Sequence, residues 1–165
     1  MTQIEMFGLA QAKRVVEDGL VDGVECPCCG QLCKLYRRKL NSAMAASLIY
    51  LVRIHLRKAF GEWTHVNELP ILQGRHAGGD FAKLAYWGMI LAAPNDDPDK
   101  RCSGLWKASE HGVAFARNQI RVPRFVYIFD DRMHGSSDEQ TSIIEALGDR
   151  FSYTELMDGF PVALN

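Results

Sequence analysis

The sequence predicts an α+β fold, and three observations carry that reading. Ala43–Phe60 is free of glycine and proline and rich in alanine, and it places Leu48, Leu51, Val52 and Leu56 on one helical stripe. Asp80–Trp87 spaces Phe81, Leu84 and Ala85 as a helix does, and Gly88 follows as a stop signal. The short apolar run Met89–Leu91 and the alternating stretch Leu105–Ala108 then flank a polar loop over 92–103. Between the two helices stand a short strand, Trp63–Val66, and a small helix running through Leu72. Helix, strand, short helix, turn, helix and hairpin is the order of a winged helix-turn-helix, in which the second hairpin strand returns from the wing.

The remaining elements follow in chain order. Thr2 and Glu5 have capping-box spacing, and Ile4, Phe7, Leu9, Val15 and Val16 can line one face of a first helix. Gly19–Gly23 breaks that helix. Val24–Arg38 predicts a hairpin with CPCCG at its tip and Leu32, Lys34, Tyr36 and Arg38 on or near its return strand. Asn41 or Ser42 caps the long helix, and Gly61 ends it. Asn67 is a candidate cap for the small helix, where Pro70 is tolerated only in the first turn. Ser109 is placed to cap a helix after the hairpin, although Gly112 weakens it. Trp87 and Trp106 are expected in the core, packing helix against hairpin.

Beyond the wing, Arg124–Phe129 predicts an apolar strand closed by an Asp130-Asp131-Arg132 turn. A loop over His134–Asp138 leads to a short helix, Thr141–Leu147, and Ser152 with Glu155 has capping-box spacing for a last helical turn. The expected organisation is an N-terminal helix and CPCCG hairpin over 1–40, a winged-helix core over 41–122, and an acidic C-terminal α/β extension over 123–165. That extension is expected to pack on the core or to form a partner surface.

At 165 residues the chain suits one core domain with appendages. Its apolar and charged fractions, 47% and 24%, are those of a soluble globular protein. No run approaches the roughly 18–20 apolar residues that span a bilayer. The charged N-terminus is neither a signal nor a transit peptide, so the expected location is cytoplasmic. The net charge of −1 hides a segregation. Residues 26–125 carry fifteen Lys and Arg against seven Asp and Glu, whereas 126–165 carry two against eight. A basic middle between acidic ends suits a polyanionic partner.

Four of the five cysteines, Cys26, Cys28, Cys29 and Cys33, lie within eight positions. Cys26 and Cys29, in Cys-Pro-x-Cys-Gly, have the local sequence of a zinc knuckle, a turn that aims two thiolates at one ion while backbone amides offset their charge. Cys33 is the candidate third ligand, and Cys28, His65, His76 or Cys102 are the candidates for a fourth. Cys28, between the knuckle ligands, is expected to point away. A metal-free turn and a redox pair are the competing readings. No nucleophile–base pair, paired carboxylate motif or phosphate loop is present, so no enzyme is predicted.

For nucleic acid, Lys83 and Tyr86 lie off the buried stripe of their helix, where they can reach phosphate or base edges. Arg75 and His76 in the preceding turn can clamp the backbone, and Lys100 and Arg101 at the wing tip can reach the minor groove. Lys34, Arg37, Arg38 and Lys39 form a second basic run. Asp96, Asp97 and Asp99 in the wing oppose close approach to phosphate.

The strings CPCCGQLCKLYRRKLNSAMA, GGDFAKLAYWGMI and GLWKASEHGVAFARNQIRVPRFVYIF resemble small uncharacterised proteins of bacteriophages and prophages over roughly residues 20–157. The resemblance implies a CPCCG hairpin joined to a winged-helix-like core, with no catalytic residues to carry over. Phe81–Phe115 is also similar to the helix-and-wing region of regulators of the multiple-antibiotic-resistance type, from which the acidic wing departs. The functional expectation is a DNA-binding protein of phage or prophage origin, a transcriptional regulator or accessory DNA-binding factor. It would bind double-stranded DNA through Arg75, His76, Lys83, Tyr86, Lys100 and Arg101, with a structural zinc as candidate cofactor and a homodimer as a candidate assembly. The alternative is a module that binds or inhibits a host protein through its acidic C-terminal region, without DNA.

Overall fold

The computed structural model describes residues 8–59, 62–72 and 78–158. The expected Thr2–Glu5 cap therefore lies outside the described residues, as do Gly61, Arg75 and His76, but the long helix ends before Gly61, at Arg57, where Lys58 turns extended. The chain divides into two units, one of residues up to 38 with 126–136, the other of residues 39–125 with 137 onward. No described helix is long and apolar enough to cross a membrane.

In the first unit, helix α1 (Leu9–Gly19) ends where Gly19 meets β1 (Val24–Glu25). A Cβ added at Gly19 would stand 2.6 Å from the Val24 Cβ, so the backbone approach there requires glycine. Strand β1 pairs antiparallel with β2 (Leu32–Cys33), Val24 opposite Cys33. The expected return strand is shorter than the sequence suggests. The Leu35 N–H donates to the Leu20 carbonyl at 2.9 Å, which takes the chain out of the ladder after Cys33. Tyr36–Lys39 (β3) instead joins a second sheet in the order β3-β8-β9, with β8 (Phe125–Phe129) and β9 (Arg132–Ser136).

The β8–β9 connection corrects a second expectation. Asp130 and Asp131 both hold positive φ, 50° and 54°, the geometry of a tight two-residue hairpin turn. Aspartate tolerates that conformation, so the return strand starts at once, and His134–Ser136 is strand rather than loop. Gly135 lies beside a register shift opposite Tyr127 and Ile128 and makes the segment look broken in sequence.

The second unit is built on α2 (Ser42–Arg57). The Asn41 side chain accepts from the Met44 N–H at 2.9 Å and fixes the start of the helix. Leu48, Leu51 and Val52 are fully buried as expected, and Met44, Ala45, Ala46, Ser47 and Ile49 join them, so this half of the helix is buried all round. Leu56 is only half-buried. The buried Ser47 hydroxyl is satisfied by its own helix, donating to the Ala43 carbonyl at 2.6 Å.

After α2 come β4 (Thr64–His65) and two 3₁₀ turns, Val66–Glu68 and Pro70–Leu72. The first turn is capped by His65, whose Nδ1 accepts from the Asn67 N–H, rather than by Asn67. The Glu68 carboxylate in turn accepts from the His65 N–H, which with Lys58 holds its pKa below the usual carboxylate range. Helix α3 (Gly78–Phe81) runs on as a 3₁₀ segment over Ala82–Trp87, followed by β5 (Ile90–Ala92) and β6 (Leu105–Ala108). These strands form one antiparallel sheet in the order β4-β6-β5.

Helix α4 (Glu110–Ala116) is capped by Ser109. Gly112 does not weaken it: a Cβ there would collide with the Met89 carbonyl oxygen, so glycine is what lets α4 lie against the hairpin. A short ribbon pairs β7 (Val122–Pro123) with β10 (Gln140–Thr141). Helices α5 (Ile143–Leu147) and α6 (Tyr153–Met157) then pack on α2, burying Ile143, Leu147 and Leu156. Arg53 donates to the Leu156 carbonyl at 3.0 Å and the Tyr153 hydroxyl to that of Ala116 at 3.1 Å.

Gly112→Ala should destabilise the fold by about 1–3 kcal/mol through the forced shift of the Met89 backbone. Urea unfolding followed by tryptophan fluorescence reads this as a lower midpoint; an unchanged midpoint would show that α4 does not approach the hairpin this closely.

Candidate functional site

The segment expected to face nucleic acid is held by a three-residue rhythm. Phe81, Leu84 and Trp87 are buried, and Ala85, expected inside, is exposed. The reason is the 3₁₀ geometry from Ala82 onward, in which positions three apart eclipse and the inward stripe becomes i, i+3, i+6. Two contacts fix the stripe. Phe81 meets Trp106 edge to face with ring centroids 5.6 Å apart, and the Trp87 indole donates to the Pro123 carbonyl at 2.7 Å. Trp87 and Trp106 thus hold the core positions expected of them, 6% and 7% exposed. Gly88 ends the segment at φ 67°, in the left-handed region.

Lys83 and Tyr86 lie off this stripe and are half-buried. The Lys83 ammonium is 2.6 Å from the Asp80 carboxylate, and the other Asp80 oxygen accepts from the Asn41 side chain at 3.3 Å. One polar chain therefore links Lys83 through Asp80 to the cap of α2.

The loop between β5 and β6 carries Lys100 and Arg101, both exposed. Its aspartates have a structural use. The Asp97 N–H bonds the Asn95 side chain, the Asp99 N–H bonds the Asp97 side chain at 3.0 Å, and Asn95 donates to the Lys100 carbonyl at 2.6 Å. Asp97 also pairs with Lys100 at 3.4 Å, so part of the acidity that opposes phosphate folds the loop. The four described candidates sit on two elements, Lys83 and Tyr86 on the 3₁₀ segment and Lys100 and Arg101 at the loop tip.

The basic middle of the sequence is not uniformly basic in space. Lys58 pairs with Glu68, Arg121 with Glu145 at 2.7 Å and Arg124 with Glu139 at 2.6 Å. The last two acids belong to the acidic C-terminal stretch. The second basic run does stay open to solvent: Lys34 and every residue of β3 are exposed, and Lys34 rests over the Tyr36 ring at 5.6 Å.

In the first unit the CPCCG turn surrounds the Cys26 sulfur with donors. That sulfur accepts from the backbone N–H groups of Cys28 and Cys29 and from the Cys29 and Cys28 thiols, which hold its pKa below that of an ordinary thiol. Burial and the negative charge of Cys26 push Cys28 and Cys33 the other way. Cys26, Cys28 and Cys33 line one cavity of about 470 Å³ with Lys13, Arg132 and His134. Cys28, expected to point away, is exposed and lines the cavity, whereas Cys29 does not line it. His134 had no signal in the sequence, since its nearness depends on the β8–β9 hairpin. His65 and Cys102, offered as fourth ligands, belong to the second unit. Among the described residues no group of three or more ligating side chains is gathered as a metal site.

No family model, curated protein or solved structure matches the chain.

The site's dependence on Trp87 has a direct measure. Trp87→Phe keeps an aromatic side chain, though a smaller one, and leaves the Pro123 carbonyl unpaired, at a cost of about 1–3 kcal/mol. Thermal unfolding should register that loss, and an equally stable variant would mean the indole bond does not hold the segment.

Proposed function

We propose that the second unit is a winged-helix domain that binds double-stranded DNA, as a transcriptional regulator or an accessory DNA-binding factor. One observation carries the reading: after α2, the chain runs β4, two 3₁₀ turns, α3, β5, loop and β6, and β6 lies between β4 and β5. This order supports the winged-helix reading, in which the 82–87 segment is the outer part of the recognition helix and 93–104 the wing. Lys83, Tyr86, Lys100 and Arg101 then meet DNA, and Arg75 and His76 precede them in sequence. Lys83 exchanges its Asp80 partner for phosphate, which makes non-specific affinity modest.

Fluorescence anisotropy with a mixed-sequence duplex tests this. Affinity should fall steeply with salt, and Lys83→Ala should lower the log–log salt slope by about 1, the loss of one phosphate contact. Failure to retain any duplex at low salt would sink the DNA reading and leave a protein-binding module using the same fold.

For the first unit we propose that Cys26, Cys29 and Cys33 hold a structural zinc. Support comes from the Cys26 sulfur, which collects two backbone amides as a knuckle thiolate does. Metal analysis of purified protein should find about one zinc per chain, lost in Cys26→Ser. Folded protein without zinc would overturn the proposal.

A further inference from the structure

A second cavity, of about 340 Å³, lies within the second unit and is lined by none of the residues assigned to DNA. Its walls come from the last turn of α2 (His55), from β5 and β6 (Leu91, Lys107) and from α4 and the residues after it (Val113, Ala114, Gln119). Leu91 is a large apolar side chain left 47% exposed there. The volume falls in the range of small-ligand pockets, whose walls are mostly apolar with a few polar groups that fix orientation.

The polar groups select the ligand. His55 Nδ1 is sealed from solvent and has no hydrogen-bond partner. A sealed nitrogen cannot be the atom that lines the cavity, so another part of the ring does. Burial and the positive charge of Lys107 both lower the His55 pKa, which keeps the imidazole neutral. A neutral ring whose Nδ1 meets no acceptor is best protonated at Nε2, which leaves a donor for a ligand. The Lys107 ammonium rests over the Trp63 ring, 4.6 Å from its centroid. Among the described residues it pairs with no carboxylate. Glu110 also lines the cavity, but it is exposed, and its charge does not offset that of Lys107 at His55. The Ser109 hydroxyl is committed to Gly88 and Gly112. The cavity thus offers apolar walls, a lysine without a carboxylate partner and one neutral imidazole, with the exposed Glu110 at its margin.

We infer that this cavity is a binding site for a small organic acid, a carboxylate on an apolar body, with Lys107 and His55 at the carboxylate and Leu91, Val113 and Ala114 around the body. The site is independent of the DNA reading, since none of its residues is assigned there. Because β5 and β6 also carry the loop with Lys100 and Arg101, occupancy is placed to act on that loop.

The test is a two-dimensional amide NMR titration of the full chain with phenylacetate, and with phenylacetamide as its neutral counterpart. Phenylacetate should shift amides of Leu91, Lys107–Ala114 and Gln119, and phenylacetamide should bind at least about tenfold more weakly. Lys107→Gln should weaken phenylacetate by a similar factor, and Ala114→Phe should abolish binding by filling the cavity. Saturable shifts at these residues with preference for the acid support the site. Absence of shifts, equal binding of acid and amide, or shifts centred elsewhere would overturn it. If either variant unfolds, the acid–amide comparison on the unaltered protein decides alone.

Discussion

The second unit depends on one constraint: six consecutive residues of α2, Met44 to Ile49, are buried on every face of the helix, and Leu51 and Val52 extend that burial past a half-buried Tyr50. A helix buried all round has no solvent face and can be satisfied only by elements packed about it. Helices α3, α4, α5 and α6 and strand β6 supply them. Ala45 and Ala46, fully buried, cost little volume and let neighbours come close, while Leu48, Ile49, Leu51 and Val52 supply most of the apolar burial. The Asn41 cap sets where the helix starts, and through Asp80 it also touches the segment that carries Lys83.

That arrangement explains what was legible in the sequence. The long helix and its cap, the hairpin strands, the Ser109 cap and the core tryptophans each follow from a local signal: spacing, a capping residue, a run of apolar side chains. What the sequence hid is where tertiary contact decides. Ala85 has the spacing of a buried α-helical position, but the segment tightens to 3₁₀ and Trp87 takes the inside place. Gly112 reads as a helix weakness, yet only the approach of Met89 shows why glycine is needed. His134 looks like a loop residue until two left-handed aspartates close a hairpin before it.

Charge shows the same limit. In sequence the basic middle and acidic tail are separate blocks; in the fold Arg121 and Arg124 meet Glu145 and Glu139, so part of the positive field is spent internally. Lys83 and Lys100 likewise have carboxylate partners, one in the helix and one in the loop. A DNA-binding role for these residues therefore rests on exchange of partners, not on a bare positive surface. The low pKa of Cys26 comes from neighbours within the CPCCG turn and is local chemistry, whereas the nearness of His134 depends on chain topology that spacing does not encode.

The most direct test of the winged-helix account is an amide NMR map of the full chain titrated with duplex DNA. The account predicts that the largest shifts fall on Asp80–Tyr86 and on the loop from Asn95 to Arg101, with the buried half of α2 unmoved. Shifts confined to β3 and the cysteine hairpin, or none on either predicted segment, would contradict it.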